Sequence, residues 1–139
     1  MTTRRQFLAV AGTMLASPLM RGIEPIARKG SPYLKLSLAA YSFRKYLNLK
    51  KPTMDLEGFA RFASKLNIEA IEPTSYYFGD TSRKYLNNLK GLCTRLGLDI
   101  SGTAVGNDFC HTDSAKLKEQ LNHVKKWVDH ASLLGCKTI

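Results

Sequence analysis

The sequence predicts an α/β domain with a parallel sheet, built as about four strand–helix units in a row. Three observations predict it. Short alternating or apolar runs begin near residues 35, 68, 98 and 136, and the first three are each followed by an amphipathic helical stretch. Their spacing of roughly 30 residues or a little more is what a strand–helix–strand unit requires. The composition, 44% hydrophobic and 23% charged in 139 residues, is that of a globular domain with one core of modest size and argues against a disordered chain.

Residues 1–30 read as an address outside this fold. Thr3-Arg4-Arg5-Gln6-Phe7-Leu8 carries an arginine pair just ahead of Phe-Leu, and a moderately apolar run with Gly12, Thr13 and Ser17 follows over residues 9–20. This resembles a bacterial twin-arginine export signal. The run is short for a bilayer span, which needs about 20 apolar residues. Pro25-Ile26-Ala27 is a weak cleavage candidate. The expectation is export by the twin-arginine pathway, ending periplasmic or membrane-anchored, with membrane contact through the leader only.

Gly30-Ser31-Pro32 is a linker, and the domain is expected over residues 34–139. Residues 34–43 alternate, with Leu36, Leu38 and Ala40 on one face and Ser37, Ala39 and Tyr41 on the other, as in a strand. A loop over residues 44–53 follows. Thr53 or Asp55 caps a helix whose Leu56, Phe59, Ala60, Ala63 and Leu66 recur at helical spacing. Residues 68–72 form the second strand. It stops at Glu72-Pro73, because proline has no N–H for a sheet ladder, and opens into a loop rich in hydroxyls and aromatics. Thr81 or Ser82 starts a helix with a stripe of Leu86, Leu89, Leu92, Cys93 and Leu96, ended by Gly97. Residues 98–103 are the third strand and 105–112 a loop. Asp113 or Ser114 caps a long helix with Leu117, Leu121, Val124, Val128 and Ala131 as its buried stripe and Gly135 at its end. Residues 136–139 look like the start of a fourth strand.

Two parallel architectures compete. The first strand-to-helix turn, Tyr41-Ser42-Phe43-Arg44, has no glycine-rich phosphate loop, which argues against a nucleotide-binding doubly wound sheet. The strand faces opposite the leucines carry Ser37, Ala39, Ser101 and Thr103, small or polar as the inside of a barrel open to a polar ligand would be. The expected fold is the N-terminal half of a TIM (β/α)8 barrel, truncated in its fourth strand. Open edges at the first and fourth strands then predict self-association.

The net charge is +10, and the first 30 residues hold Arg4, Arg5, Arg21, Arg28 and Lys29 against Glu24 alone. The remaining excess is spread, with no run longer than Lys50-Lys51 or Lys125-Lys126, and reads as a solvated basic face with no nucleic-acid partner. Cys93, Cys110 and Cys136 match neither a zinc ribbon nor a CxxC pair. HExxH, Walker and GxSxG signatures are missing too.

Residues 35–43, the run Ile68-Glu69-Ala70-Ile71-Glu72-Pro73-Thr74-Ser75-Tyr76-Tyr77-Phe78, residues 96–109, and the helix around His123, Trp127 and His130 leading to Leu134-Gly135-Cys136-Lys137 are similar to the sugar phosphate isomerase/epimerase family. That family has a xylose isomerase-like TIM barrel, shared with AP endonuclease family 2. The resemblance spans residues 34–139 and implies a sugar or sugar phosphate as the small-molecule partner. It also implies a divalent metal ion, held in the full-length family by Glu, Asp, His and Glu of later strands, so no metal ligand is carried over to this chain. What carries over by position is a pocket lining of Tyr41, Phe43, Glu72, Tyr76, Asn107, Asp108 and His111. Carboxylates and amides suit sugar hydroxyls, and rings cover C–H faces. Glu72 assists at most; its other reading is a strand-end carboxylate bound to a backbone N–H or a lysine. Asn107 and Asp108 fit a turn equally well, and His111 fits a plain loop residue. His123 and His130 fall on one side of an outer helix. The expected function is the N-terminal part of an exported sugar isomerase or epimerase, which moves a proton next to a carbonyl and is inactive as this fragment. A non-catalytic carbohydrate-binding barrel and an AP-endonuclease-like nuclease are the alternatives.

Overall fold

The computed structural model describes residues 34–139, so the twin-arginine leader and its linker lie outside the described residues. Strand β1, Ser37–Ala39, is followed at once by a 3-10 turn, Ala40–Phe43. The strand expected over residues 34–43 is therefore three residues long, and Tyr41 and Phe43 sit on the turn beyond it. Leu36, expected on the buried face, is 58% exposed, because the paired register begins only at Ser37 opposite Ala70.

Helix α1, Leu56–Ala63, begins where the Asp55 carboxylate accepts from the Gly58 N–H at 2.7 Å. Such a cap contributes about 1 kcal/mol. Leu56, Phe59, Ala60 and Ala63 are buried, each large side chain contributing roughly 1.5–3 kcal/mol. Leu66 was expected in this stripe but is exposed. The chain tightens after Ala63, with Lys65 N–H donating to Phe62 O at 3.1 Å and Leu66 N–H to Ala63 O at 2.9 Å, and these three-residue bonds rotate Leu66 off the buried face.

Strand β2, Ala70–Glu72, stops at Pro73, and a second 3-10 turn covers Ser75–Tyr77. Residues 73–78, expected as an open loop, are partly interior: Pro73, Thr74 and Phe78 are buried. Helix α2, Arg83–Arg95, is capped by the Ser82 hydroxyl, which accepts from the Tyr85 N–H at 3.2 Å. Its Leu86, Leu89, Leu92 and Cys93 are buried. Gly97, at φ 72°, turns the chain out of the helix into β3, Asp99–Ile100, a shorter strand than residues 98–103.

Helix α3, Ser114–Leu134, is capped by Asp113 and ends at Gly135 with φ 78°. Its buried residues are Trp127, Ala131 and Leu134, whereas Leu121 and Val128 of the expected stripe are exposed. The indole decides the rotation. Burying Trp127 removes far more apolar surface than burying Val128, and its ring packs edge-on against Phe78 at 5.2 Å.

The three strands pair in the order β1-β2-β3, all parallel, with Leu38 opposite Ile71 and Ile71 opposite Ile100. These three side chains face the helices and join a core with Leu56, Phe59, Leu86, Leu89, Trp127 and Leu134. The opposite face carries Ser37, Ala39, Ala70, Glu72 and Asp99. There the Ser37 and Ser101 hydroxyls meet at 2.7 Å across the middle strand. Ser101 also donates to the Ile71 carbonyl at 3.2 Å, so Ser37 supplies the proton between the two hydroxyls. Strands lie roughly 4.8 Å apart, so a contact between the first and third requires the sheet to curve toward this face. On β2 the ladder sets Ala70 level with Ser37, and one residue past the Ile71–Ile100 pair sets Glu72 level with Ser101.

Residues 136–139, expected to open a fourth strand, are not assigned as one. They nonetheless run beside the end of β3, where Thr103 N–H donates to Thr138 O at 3.3 Å and the Thr138 hydroxyl to Ser101 O at 2.8 Å. The described unit is thus a mixed α/β fold with a three-stranded parallel sheet and three helices. Among the described residues, no helix is long and apolar enough to cross a membrane.

Candidate functional site

Everything that follows a strand directly, namely the turn Ala40–Phe43, the turn Ser75–Tyr77 and residues 103–108, gathers at the carboxyl ends of the strands. The last two are tied by the Ser75 N–H, which donates to Ala104 O at 2.9 Å. Parallel α/β folds bind ligands at this end, where the turns can carry side chains without disturbing the sheet.

Tyr41 and Tyr76, both about half exposed, come together with Tyr77 in a cleft of about 600 Å³ whose other walls are Arg44, Lys45, Asn48, Leu49 and Lys50. The Arg44 guanidinium lies over the Tyr41 ring, 5.5 Å from its centre. Tyr76 and Tyr77 meet edge to face at 6.3 Å. Burial first, and the Tyr41 hydroxyl next, push the Tyr77 phenol above its ordinary value, while Arg44 pulls it back. The loop bearing the cations is pinned by its backbone. Tyr46 and Leu47 N–H groups donate to Phe43 O at 2.8 and 3.0 Å, and Thr53 and Met54 donate to Tyr46 O at 2.9 and 3.1 Å. Leu47 anchors it from inside, 1% exposed.

Glu72 ends β2 on the inner face, half-buried, opposite Ala39. Past the ends of β2 and β3, Thr74 Oγ1 and Thr103 Oγ1 are buried without a hydrogen-bond partner. The Tyr76 ring lies against Gly106, filling the space a side chain there would need.

The other expected pocket residues go elsewhere. Phe43 packs into the core against Phe59 and Phe62, both at 5.2 Å, because the 3-10 turn swings it back toward the helices. Glu72, Asn107, Asp108 and His111 do not line the cleft. Asp108 is a turn residue: its Oδ1 accepts from the Cys110 N–H at 2.8 Å and its own N–H donates to Gln120 Oε1 at 3.0 Å. His111 Nε2 is 3.7 Å from Asp108 Oδ2, beyond hydrogen-bond reach. His123 is exposed on α3, and His130 packs edge-on to Trp127 at 5.2 Å.

The pocket lining expected from the sequence leaves out Arg44, Lys45 and Lys50, which line the cleft. A signal for the cations existed: Arg44, Lys45, Lys50 and Lys51 crowd one strand-end loop with no acid among them. Among the described residues, no three His, Cys, Asp or Glu side chains converge, in keeping with a metal whose implied ligands lie on later strands. No chemical step is therefore derived through a metal. What these residues can do is bind: a carboxylate and hydroxyls for a polyol, rings for its apolar face, and cations for an anionic group. No protein-family model matches the chain, and no curated protein matches it.

Proposed function

We propose that residues 34–139 form half of a (β/α)8 barrel of the xylose isomerase-like kind, and that its strand carboxyl ends hold a sugar or sugar phosphate. The parent activity is then metal-dependent isomerisation or epimerisation in a protein exported through its twin-arginine leader. This half supplies binding groups. Glu72 accepts from sugar hydroxyls, and Tyr41 and Tyr76 cover the C–H faces. The open edge of β1 makes association between copies the expected behaviour of the unit.

One observation carries the barrel: the Ser37–Ser101 hydroxyl pair. In an eight-stranded barrel of shear eight, the strands tilt by about 36° and each interior layer takes its side chains from alternate strands. At constant height, each successive strand is then one residue further along. Ala70 links Ser37 to Asp99 in the ladder register, and Ser101 lies two residues past Asp99. Two strands and two residues is the offset a shared layer demands. The consecutive order β1-β2-β3 is that of a barrel and departs from the 2-1-3 start of a flavodoxin-like sheet.

The test is an NMR titration of the 139-residue chain with glucose, fructose, xylose and their phosphates up to roughly 10 mM, the range of weak sugar binding. Shifts concentrated at Tyr41, Glu72, Thr74 and Tyr76 support the reading. Saturable shifts elsewhere, or none for any sugar, overturn it. A carbohydrate-binding barrel without turnover shares this geometry, and an isomerase assay with added divalent metal on a full-length parent that carries the later strands separates the two.

A further inference from the structure

We infer that the cleft behind the β1 turn is a phosphomonoester site, with Arg44, Lys45 and Lys50 as its cations and Tyr41 and Tyr76 as its walls. The inference rests on the sugar reading above and adds to it the anionic group and the residues that take it.

Three observations carry it. The cleft wall holds three cations and no carboxylate, a local excess that attracts a dianion and favours it over a neutral ligand. The ion pairs among the described residues, Lys35 with Asp99 and His111 with Asp108, involve none of the three, so their charge is not spent internally. The loop is held by four backbone hydrogen bonds and buried Leu47, and Arg44 is steadied over the Tyr41 ring, so the cations are presented with little ordering left to do on binding. A guanidinium can take two phosphate oxygens in its fork while the lysines act as point charges. Tyr76 lines this cleft and also packs against Gly106 in the segment that follows β3.

The test compares glucose 6-phosphate, glucose and inorganic phosphate by calorimetry and NMR on the whole chain. The expected result is glucose 6-phosphate binding about tenfold or more tighter than glucose, with competition by inorganic phosphate and weakening by added salt. Arg44→Gln and Lys50→Gln each weaken glucose 6-phosphate about tenfold and leave glucose unchanged. Both residues are exposed, and if one variant fails to fold the other carries the test. Equal affinity for the two sugars, or variants without effect, overturns this inference and leaves the sugar reading standing. Phosphate binding at the cleft with no response at Glu72 or Thr74 to any sugar keeps the anion site and removes the sugar reading. Tighter binding of short single-stranded DNA than of glucose 6-phosphate, abolished in the same variants, overturns the choice of ligand.

Discussion

Gly102→Ala and Gly106→Ala add the same methyl group at sites four residues apart, with opposite consequences. Neither glycine has a positive φ, so backbone strain plays no part. A Cβ on Gly102 would stand 2.5 Å from Thr138 Oγ1 and 3.1 Å from the Thr138 carbonyl oxygen. The hydroxyl can rotate aside alone, but the carbonyl moves only with the backbone. Thr138 must then withdraw, and the bonds from Thr103 N–H at 3.3 Å and to Ser101 O at 2.8 Å go with it. At about 0.5–1.5 kcal/mol each, the loss is about 1–3 kcal/mol. Alanine recovers about 0.4–1 kcal/mol by stiffening the unfolded chain, leaving a net cost of about 1–2 kcal/mol. For a domain of this size that lowers Tm by roughly 5–10 °C. At Gly106 the obstacle is the far end of the Tyr76 side chain, which is half exposed and can swing away. Stability should change by less than about 0.5 kcal/mol, while the cleft loses one wall. Circular-dichroism melts and amide exchange at Thr103 read both effects. A Gly102→Ala protein that melts like the parent with the Thr103 amide still protected would refute the reasoning, as would an equal loss at Gly106.

Thr74→Val and Thr103→Val keep shape and extended backbone while removing a buried, unpartnered hydroxyl, so each should raise stability by about 1–2 kcal/mol in urea melts; a loss instead would mean that the hydroxyl is satisfied in solution. Burial first, and Lys126 second, hold the His130 imidazole below its ordinary 6.5. The unfolded chain therefore takes up this proton first, and stability should fall as pH drops through 6.5; His130→Phe should flatten that slope in urea midpoints measured over roughly pH 5–8. Burial pushes the Cys93 and Cys136 thiols up to about 11, while Cys110 is exposed. Brief alkylation near pH 8 should therefore mark Cys110 first by peptide mass spectrometry, and equal labelling of Cys93 would contradict the packing of α2.

Much of the fold was legible because its signals are local. Asp55, Ser82 and Asp113 cap their helices with side-chain oxygens a few residues from the N–H they serve, and Gly97 and Gly135 end helices through their own φ. Pro73 ends β2 by lacking an N–H. Errors arose where one local choice rotates a neighbour. The 3-10 turn after Ala39 sends Phe43 to the core and leaves Tyr41 outside, whereas the sequence alone puts both in one pocket. On α3, Trp127 and Val128 are adjacent in sequence, and periodicity alone favours the valine stripe; only the partner ring of Phe78 decides for the indole. Arg44, Lys45 and Lys50 crowd one loop in the sequence, but that they share a cleft wall with Tyr41 and Tyr76 follows only from the loop's hydrogen bonds to Phe43 and Tyr46. The Ser37–Ser101 contact, with its partners 64 residues apart, was beyond any local pattern.

The two ends of the sheet treat their polar groups differently, and that difference is the strongest reason to look for a ligand at one of them. At the amino end Glu69 spends a carboxylate oxygen on the Leu36 N–H at 2.7 Å, closing the ladder ahead of β1. Asp99 there lies 3.9 Å from Lys35, an exposed pair of small energetic weight. At the carboxyl end, three residues past Glu69, Glu72 closes the same strand, and past the ends of β2 and β3 the Thr74 and Thr103 hydroxyls are buried with no acceptor or donor. A protein that only needed to fold would gain by replacing such hydroxyls with methyls, since each unpartnered one costs about 1–3 kcal/mol. On the proposed reading, a polyol at the strand carboxyl ends supplies the partners that these hydroxyls lack. The stabilising effect of valine at Thr74 and the loss of sugar response in the same variant are therefore two faces of one account, and each is measurable without the other.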